Sequence, residues 1–163
     1  MINWRLEGIS HACFTPDGRR VVTVSKPNTL IVWNLDEARP VAAVRFPSGL
    51  YCVQLSPDGQ RALLLARETL VLCEIEPGRE LRALRRRGWA SVEQACFSPD
   101  GLSALASYTD GALVLWDLRS GSATTEFFTT GPATAIDWQE SRIALGDANG
   151  VVSLWELHNR SQN

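Results

Sequence analysis

Phe97-Ser98-Pro99-Asp100-Gly101 decides how this chain folds, because the same turn stands at two other places, as Phe14-Thr15-Pro16-Asp17-Gly18 and Leu55-Ser56-Pro57-Asp58-Gly59. The three glycines are 41 and 42 residues apart. Proline presets φ for a turn, Asp accepts hydrogen bonds from nearby backbone, and Gly tolerates φ > 0, so each copy predicts a tight turn between two strands. A second marker keeps step: Val32-Trp33-Asn34-Leu35, Leu72-Cys73-Glu74-Ile75, Leu115-Trp116-Asp117-Leu118 and Leu154-Trp155-Glu156-Leu157. Their second positions are 40, 43 and 39 residues apart. Two markers sharing one period identify four tandem repeats.

Each repeat reads as short strands cut by Gly, Pro and Asp. In the third, strands are expected over 92–98, 103–107, 112–118 and 124–128, with turns at Pro99-Asp100-Gly101, Thr109-Asp110-Gly111 and Arg119-Ser120-Gly121. The fourth supplies three, over 133–138, 142–146 and 151–157, with Trp138-Gln139-Glu140-Ser141 where the Pro-Asp-Gly turn would stand. The most helix-like piece, 79–87, falls where the other repeats place an outer strand. The expected class is all-β.

The period, the Ser-Pro-Asp-Gly turn and the dipeptide Trp116-Asp117 resemble the WD-repeat β-propeller family. The resemblance implies four-stranded antiparallel blades stacked radially, four per chain. It divides the chain into a closing outer strand at 1–8, blades at 9–48, 49–88, 89–130 and 131–157, and a polar tail at 158–163. The repeats depart from the family pattern. No Gly-His dipeptide precedes any first strand, and Cys73 takes the Trp position of the second repeat. The family's buried His–Ser/Thr–Trp–Asp network is therefore not expected in its usual form.

Ile2-Asn3-Trp4-Arg5-Leu6 alternates apolar and polar residues, and it is expected to complete the last blade of its own or a partner chain. Members of the family close with more than four blades. Three arrangements follow: a homodimer closing an eight-bladed ring by strand exchange, a half-propeller completed by another protein or a longer parent chain, and a four-bladed monomer.

The net charge of −2 supplies no bulk field toward nucleic acid or anionic membrane, so neither is an expected partner. No stretch approaches the apolar length of a membrane helix, and the first residues carry Arg5 and Glu7 rather than a signal sequence. Cys13, Cys52, Cys73 and Cys96 lie in apolar runs without CxxC spacing, the pattern of buried thiols in a cytoplasmic protein.

Little in the chain suggests catalysis, metal or cofactor binding. The histidines are His11, on a first strand, and His158, in the tail; neither has a second His or a Cys at zinc spacing. Asp17, Asp58 and Asp100 recur in register inside turns, Asp110 and Asp147 occupy the next turn, and Gly146-Asp147-Ala148-Asn149-Gly150 reads as a hairpin. These are structural positions. Asp137 and Glu140 are the least explained carboxylates, and with His11 they form the alternative, a hydrolase-like propeller enzyme. Trp4, Trp33, Trp116, Trp138 and Trp155 are expected to pack inside.

The one local charge anomaly is Arg82-Ala83-Leu84-Arg85-Arg86-Arg87-Gly88-Trp89. Two readings stay open: a solvated edge with Trp89 tucked between blades, or a contact surface. Arg85, Arg86, Arg87 and Trp89 are the candidate partner-binding residues, since guanidinium and indole groups dominate interaction hot spots and an Arg cluster suits an acidic partner. The expected function is a non-catalytic scaffold that binds a protein or peptide on the propeller rim.

Overall fold

The computed structural model describes residues 8–26, 28–47, 49–76 and 79–157. They form fifteen strands and no helix. The first sheet has β1 (Ile9–Phe14), β2 (Arg20–Ser25), β3 (Thr29–Asn34) and β4 (Arg39–Arg45); the second has β5 (Leu50–Leu55), β6 (Arg61–Ala66), β7 (Thr69–Glu74) and β8 (Glu80–Leu84). The third has β9 (Val92–Phe97), β10 (Ser103–Tyr108), β11 (Ala112–Asp117) and β12 (Ser122–Phe128), and the fourth has β13 (Ala133–Gln139), β14 (Arg142–Asp147) and β15 (Val152–Glu156). Each sheet is an antiparallel meander in chain order. The helix-like piece is strand β8, because its pairing with β7 overrides local propensity. Among the described residues β15 pairs only with β14; the expected closing strand, with Trp4, and the polar tail with His158 lie outside the described residues.

The three Pro-Asp-Gly turns share one hydrogen-bond pattern. Ser98 Oγ donates to Asp100 Oδ1 (2.5 Å) and accepts from Ser103 N (2.9 Å), while Asp100 Oδ1 also accepts from Leu102 N (2.9 Å). Thr15 with Asp17 and Ser56 with Asp58 repeat it. The glycine that closes each turn, Gly18, Gly59 or Gly101, has φ of 67–69°, a region costly for a residue with a Cβ. The fourth repeat makes its turn with Glu140 at φ 50°, and the β3–β4 turn places Ala38 at φ 52°, where the β11–β12 turn uses Gly121 at φ 74°.

The chain divides into two compact units, Met1–Val92 and Glu93–Asn163. In the first, β5 packs on β1 and β2. Val22, Val24, Leu30 and Val32 of one sheet meet Val53, Ala62, Leu64, Val71 and Cys73 of the next. Each fully buried Val or Leu among them contributes about 1.5–3 kcal/mol. In the second unit, Leu105 and Leu113 pack against Ala133, Ile143 and Leu145, with Trp138 and Trp155 at the margin. Both faces of β6, β7, β10 and β11 are largely buried, which explains their continuous apolar runs.

The strands define two ends in the first unit. The Pro-Asp-Gly turns and the β3–β4 and β7–β8 connections lie at one end, here the lower. The β2–β3 and β6–β7 turns and the β4–β5 and β8–β9 connections lie at the other, the upper.

Candidate functional site

The basic segment leaves the second sheet at Leu84, which is buried, and ends at Val92, also buried, where β9 begins. Residues 85–91 form the upper-end connection from β8 to β9. Its base is pinned: Val92 N donates to Arg67 O (2.8 Å), and the Tyr51 hydroxyl donates to Val92 O. These bonds tie the connection to the β6–β7 turn and to β5. Gly88, at φ 118°, turns the chain at its tip.

Beyond that base the side chains project outward. Arg85 and Arg87 are exposed and Arg86 is half-buried. Trp89 is 91% exposed, so it is not tucked between blades as one reading of the sequence had it. A fully solvated indole forgoes the burial that normally places Trp inside.

Arg85 also reaches a feature that the sequence did not reveal. With Arg67, Glu68, Thr69, Gly49 and Ala66 it lines a hollow of about 330 Å³ at the upper end. Arg67 belongs to an ordinary two-residue hairpin turn in the sequence. The β7–β8 pairing and the Val92–Arg67 hydrogen bond bring it beside the basic connection.

The remaining candidates have structural partners. Asp17, Asp58 and Asp100 are held below the usual carboxylate range, chiefly by hydrogen bonds from Thr15, Ser56 and Ser98. Asp110 accepts from Ala112 N (3.2 Å), and Asp147 accepts from Asn149 N and Val151 N (both 2.9 Å). Asp137 and Glu140 line a shallow hollow of about 310 Å³ with Gln139, Arg142, Ala144 and Leu154. His11 lies with Nδ1 3.6 Å from Cys52 Sγ, within the first unit. Among the described residues no three His, Cys, Asp or Glu side chains converge as metal ligands.

The four cysteines are free, and only Cys73 is fully buried; the other three are half-buried. Burial pushes the thiols of Cys73 and Cys96 up to about 12 and that of Cys13 up to about 11. Such thiols stay protonated and are poor nucleophiles.

Trp33 and Trp116 are buried as expected, whereas Trp138 and Trp155 are only partly so, Trp155 standing edge-on to Phe127 at 5.3 Å. Part of the family's buried network survives in the first repeat, where Trp33 Nε1 donates to Thr23 Oγ1 (3.0 Å). Among the described residues no helix is long and apolar enough to cross a membrane.

The comparisons agree with this geometry. A model of the "WD domain, G-beta repeat" matches residues 5–34 and 79–117. The chain is 26% identical over 156 residues to Autophagy-related protein 16 of Arabidopsis thaliana, covering 88% of this chain and 30% of that protein. It is 25% identical over 158 residues to the U3 small nucleolar RNA-associated protein 18 homolog of the same plant, covering 91% and 28%. Among solved structures, the RRP9 WD40 repeats superpose with a TM-score of 0.83 at 17% identity, covering 99% of this chain and 52% of that one. The Cps50 (Swd1) β-propeller domain of Myceliophteria thermophila gives 0.79 at 17% identity, covering 94% and 55%. The chain thus spans less than a third of the curated relatives and about half of the solved propellers. With two of its segments matching the WD-repeat model and its sheets superposing on propeller blades, the chain carries WD repeats and has the β-propeller blade fold.

Proposed function

We propose that this chain is a non-catalytic scaffold that binds a protein or peptide partner through the β8–β9 connection, with Arg85, Arg86, Arg87 and Trp89 as contact residues. The observation that carries this reading is the 91% exposure of Trp89 on a backbone pinned at both ends. An exposed aromatic held beside guanidinium groups on a rigid base is the composition of an interaction hot spot, and pinning lowers the ordering cost of binding. The names of the relatives are compatible with assembly roles, and the same reading places the protein in the reducing cytoplasm, where its protonated thiols stay free. Replacing Arg85, Arg86 and Arg87 together with Ser should leave the thermal midpoint within about two degrees, since all three lie on a surface connection outside the strands and none is fully buried. Capture of the partner in a pull-down should be lost. Capture at the wild-type level by a folded triple variant would reject the reading.

A second reading concerns assembly. Val152 and Leu154 are 81% and 70% exposed, yet they hold the register positions of Leu30 and Val32, which are buried against the next sheet. We propose that a second copy covers this face, closing an eight-bladed homodimer. Completion by another protein or by a longer parent chain is the alternative, and the mass in solution separates them.

A further inference from the structure

Charge is segregated along the first unit. At the lower end bases and acids are matched: Arg20 pairs with Glu76 (3.2 Å), Arg79 with Glu74 (3.0 Å), Arg61 with Asp58 (4.0 Å), and Arg39 with Glu37. At the upper end stand Lys26, Arg45, Arg67, Arg85, Arg86 and Arg87, with Glu68 the one acidic residue among the described residues there. Arg45, Arg67, Arg85 and Arg87 are exposed and take part in no ion pair among the described residues. A net charge of −2 conceals this polarity, because residues 93–163 hold nine Asp or Glu against three Arg.

We infer that the whole upper end of the first unit, not the β8–β9 connection alone, is a binding face for an acidic peptide segment. This rests on the scaffold reading above and adds Arg45, Arg67 and the hollow to the site. The hollow places the guanidinium groups of Arg67 and Arg85 on one cavity of about 330 Å³, which a Glu or Asp side chain of the partner enters to meet both. Arg45, at the upper end of β4, and the Arg85–Arg87 run extend the positive field outward across two sheets, so an extended chain with several carboxylates is matched along its length. Trp89 caps the outer edge and packs on the partner's aliphatic stems. Glu68 also lines the hollow, where the two arginines outnumber its one carboxylate, and a peptide can offer that carboxylate a backbone N–H.

The test uses the full chain and three fluorescent probes: a short Glu–Ser repeat peptide, its Gln–Ser counterpart and an oligothymidylate of similar length. Anisotropy should show the Glu–Ser peptide binding and weakening as salt is raised, with the Gln–Ser peptide not binding. Arg67→Ser and Arg45→Ser should each weaken it by about two- to fivefold with the thermal midpoint unchanged. Equal binding of the neutral peptide, or tighter binding of the oligothymidylate, would overturn the inference. Loss of affinity in the Arg85/Arg86/Arg87 variant with none in Arg45→Ser or Arg67→Ser would overturn the extended face and leave the loop reading standing. Loss of partner capture is read separately by the pull-down, so the two can fail independently.

Discussion

The indole N–H of Trp116 is buried without a hydrogen-bond partner among the described residues, while that of Trp33 has one. The register explains the difference. Trp33 pairs with Val21, and Thr23 lies two residues further along β2 on the same face; Trp116 pairs with Ala104, and the corresponding residue of β10 is Ala106. The acceptor has been deleted and the donor kept. In the second sheet both partners are apolar, Cys73 with Leu64 at the Thr23 position, so no polar group is orphaned. An orphaned buried donor costs about 1–3 kcal/mol, and supplying its acceptor recovers about 0.5–1.5 kcal/mol. Ala106→Ser is therefore expected to raise the urea midpoint by that order. Thr23→Val, close in shape, should lower it by orphaning Trp33. A neutral result in both variants would show that neither indole bond matters to folding. The Trp positions were legible in the sequence from their spacing, but their partners required the strand register, which the spacing alone does not set.

The turn is the element that made the fold legible. Its Ser/Thr, Asp and Gly each have a separate physical task, so the same residue types recur whenever the geometry does. The fourth repeat shows the limit: its two-residue turn at Glu140 keeps the hairpin without the motif. The connection carrying Trp89 was half legible. Its composition marked it as unusual, while exposure and the approach of Arg67 depend on the Val92 hydrogen bond, a contact that no local pattern announces. The turns also set an acid limit on stability. Asp17, Asp58 and Asp100 titrate below their ordinary value in the folded chain, because the carboxylate accepts bonds from a hydroxyl and a backbone N–H. A group whose folded pKa is depressed stabilises the fold above its unfolded value and loses that contribution as pH falls through the folded one. The combined Asp17→Asn, Asp58→Asn and Asp100→Asn variant should be less stable than the wild type at neutral pH. The gap should close below about pH 4. Parallel stability curves in urea across that range would show that charge on these turns is irrelevant.

At the scale of the molecule, the fourth sheet is half finished. Its inner face, with Ile143 and Leu145, is buried against Leu105 and Leu113, while the opposite face presents Val152, Leu154 and Ala144 to solvent beside Asp137 and Arg142. In the first sheet the equivalent face is covered by the second. Leaving two such β-branched and branched aliphatic residues open forgoes roughly the burial energy of the corresponding pair, about 3–6 kcal/mol. It also leaves β15 with one described neighbour, the situation that invites strand pairing between chains. The solved propellers that the chain superposes on are about twice as long, so two copies supply about one propeller of chain. The homodimer reading then makes a definite demand on light scattering. A chain of 18.0 kDa should give a mass near twice that value, independent of dilution over the measurable range. Val152→Lys with Leu154→Lys should return it to the monomer mass with the far-ultraviolet dichroism preserved, because both side chains stand in solvent within the single chain. A wild type that remains monomeric at high concentration removes the homodimer, and the open face of the fourth sheet is then the place where blades from another chain or a longer parent sequence must dock.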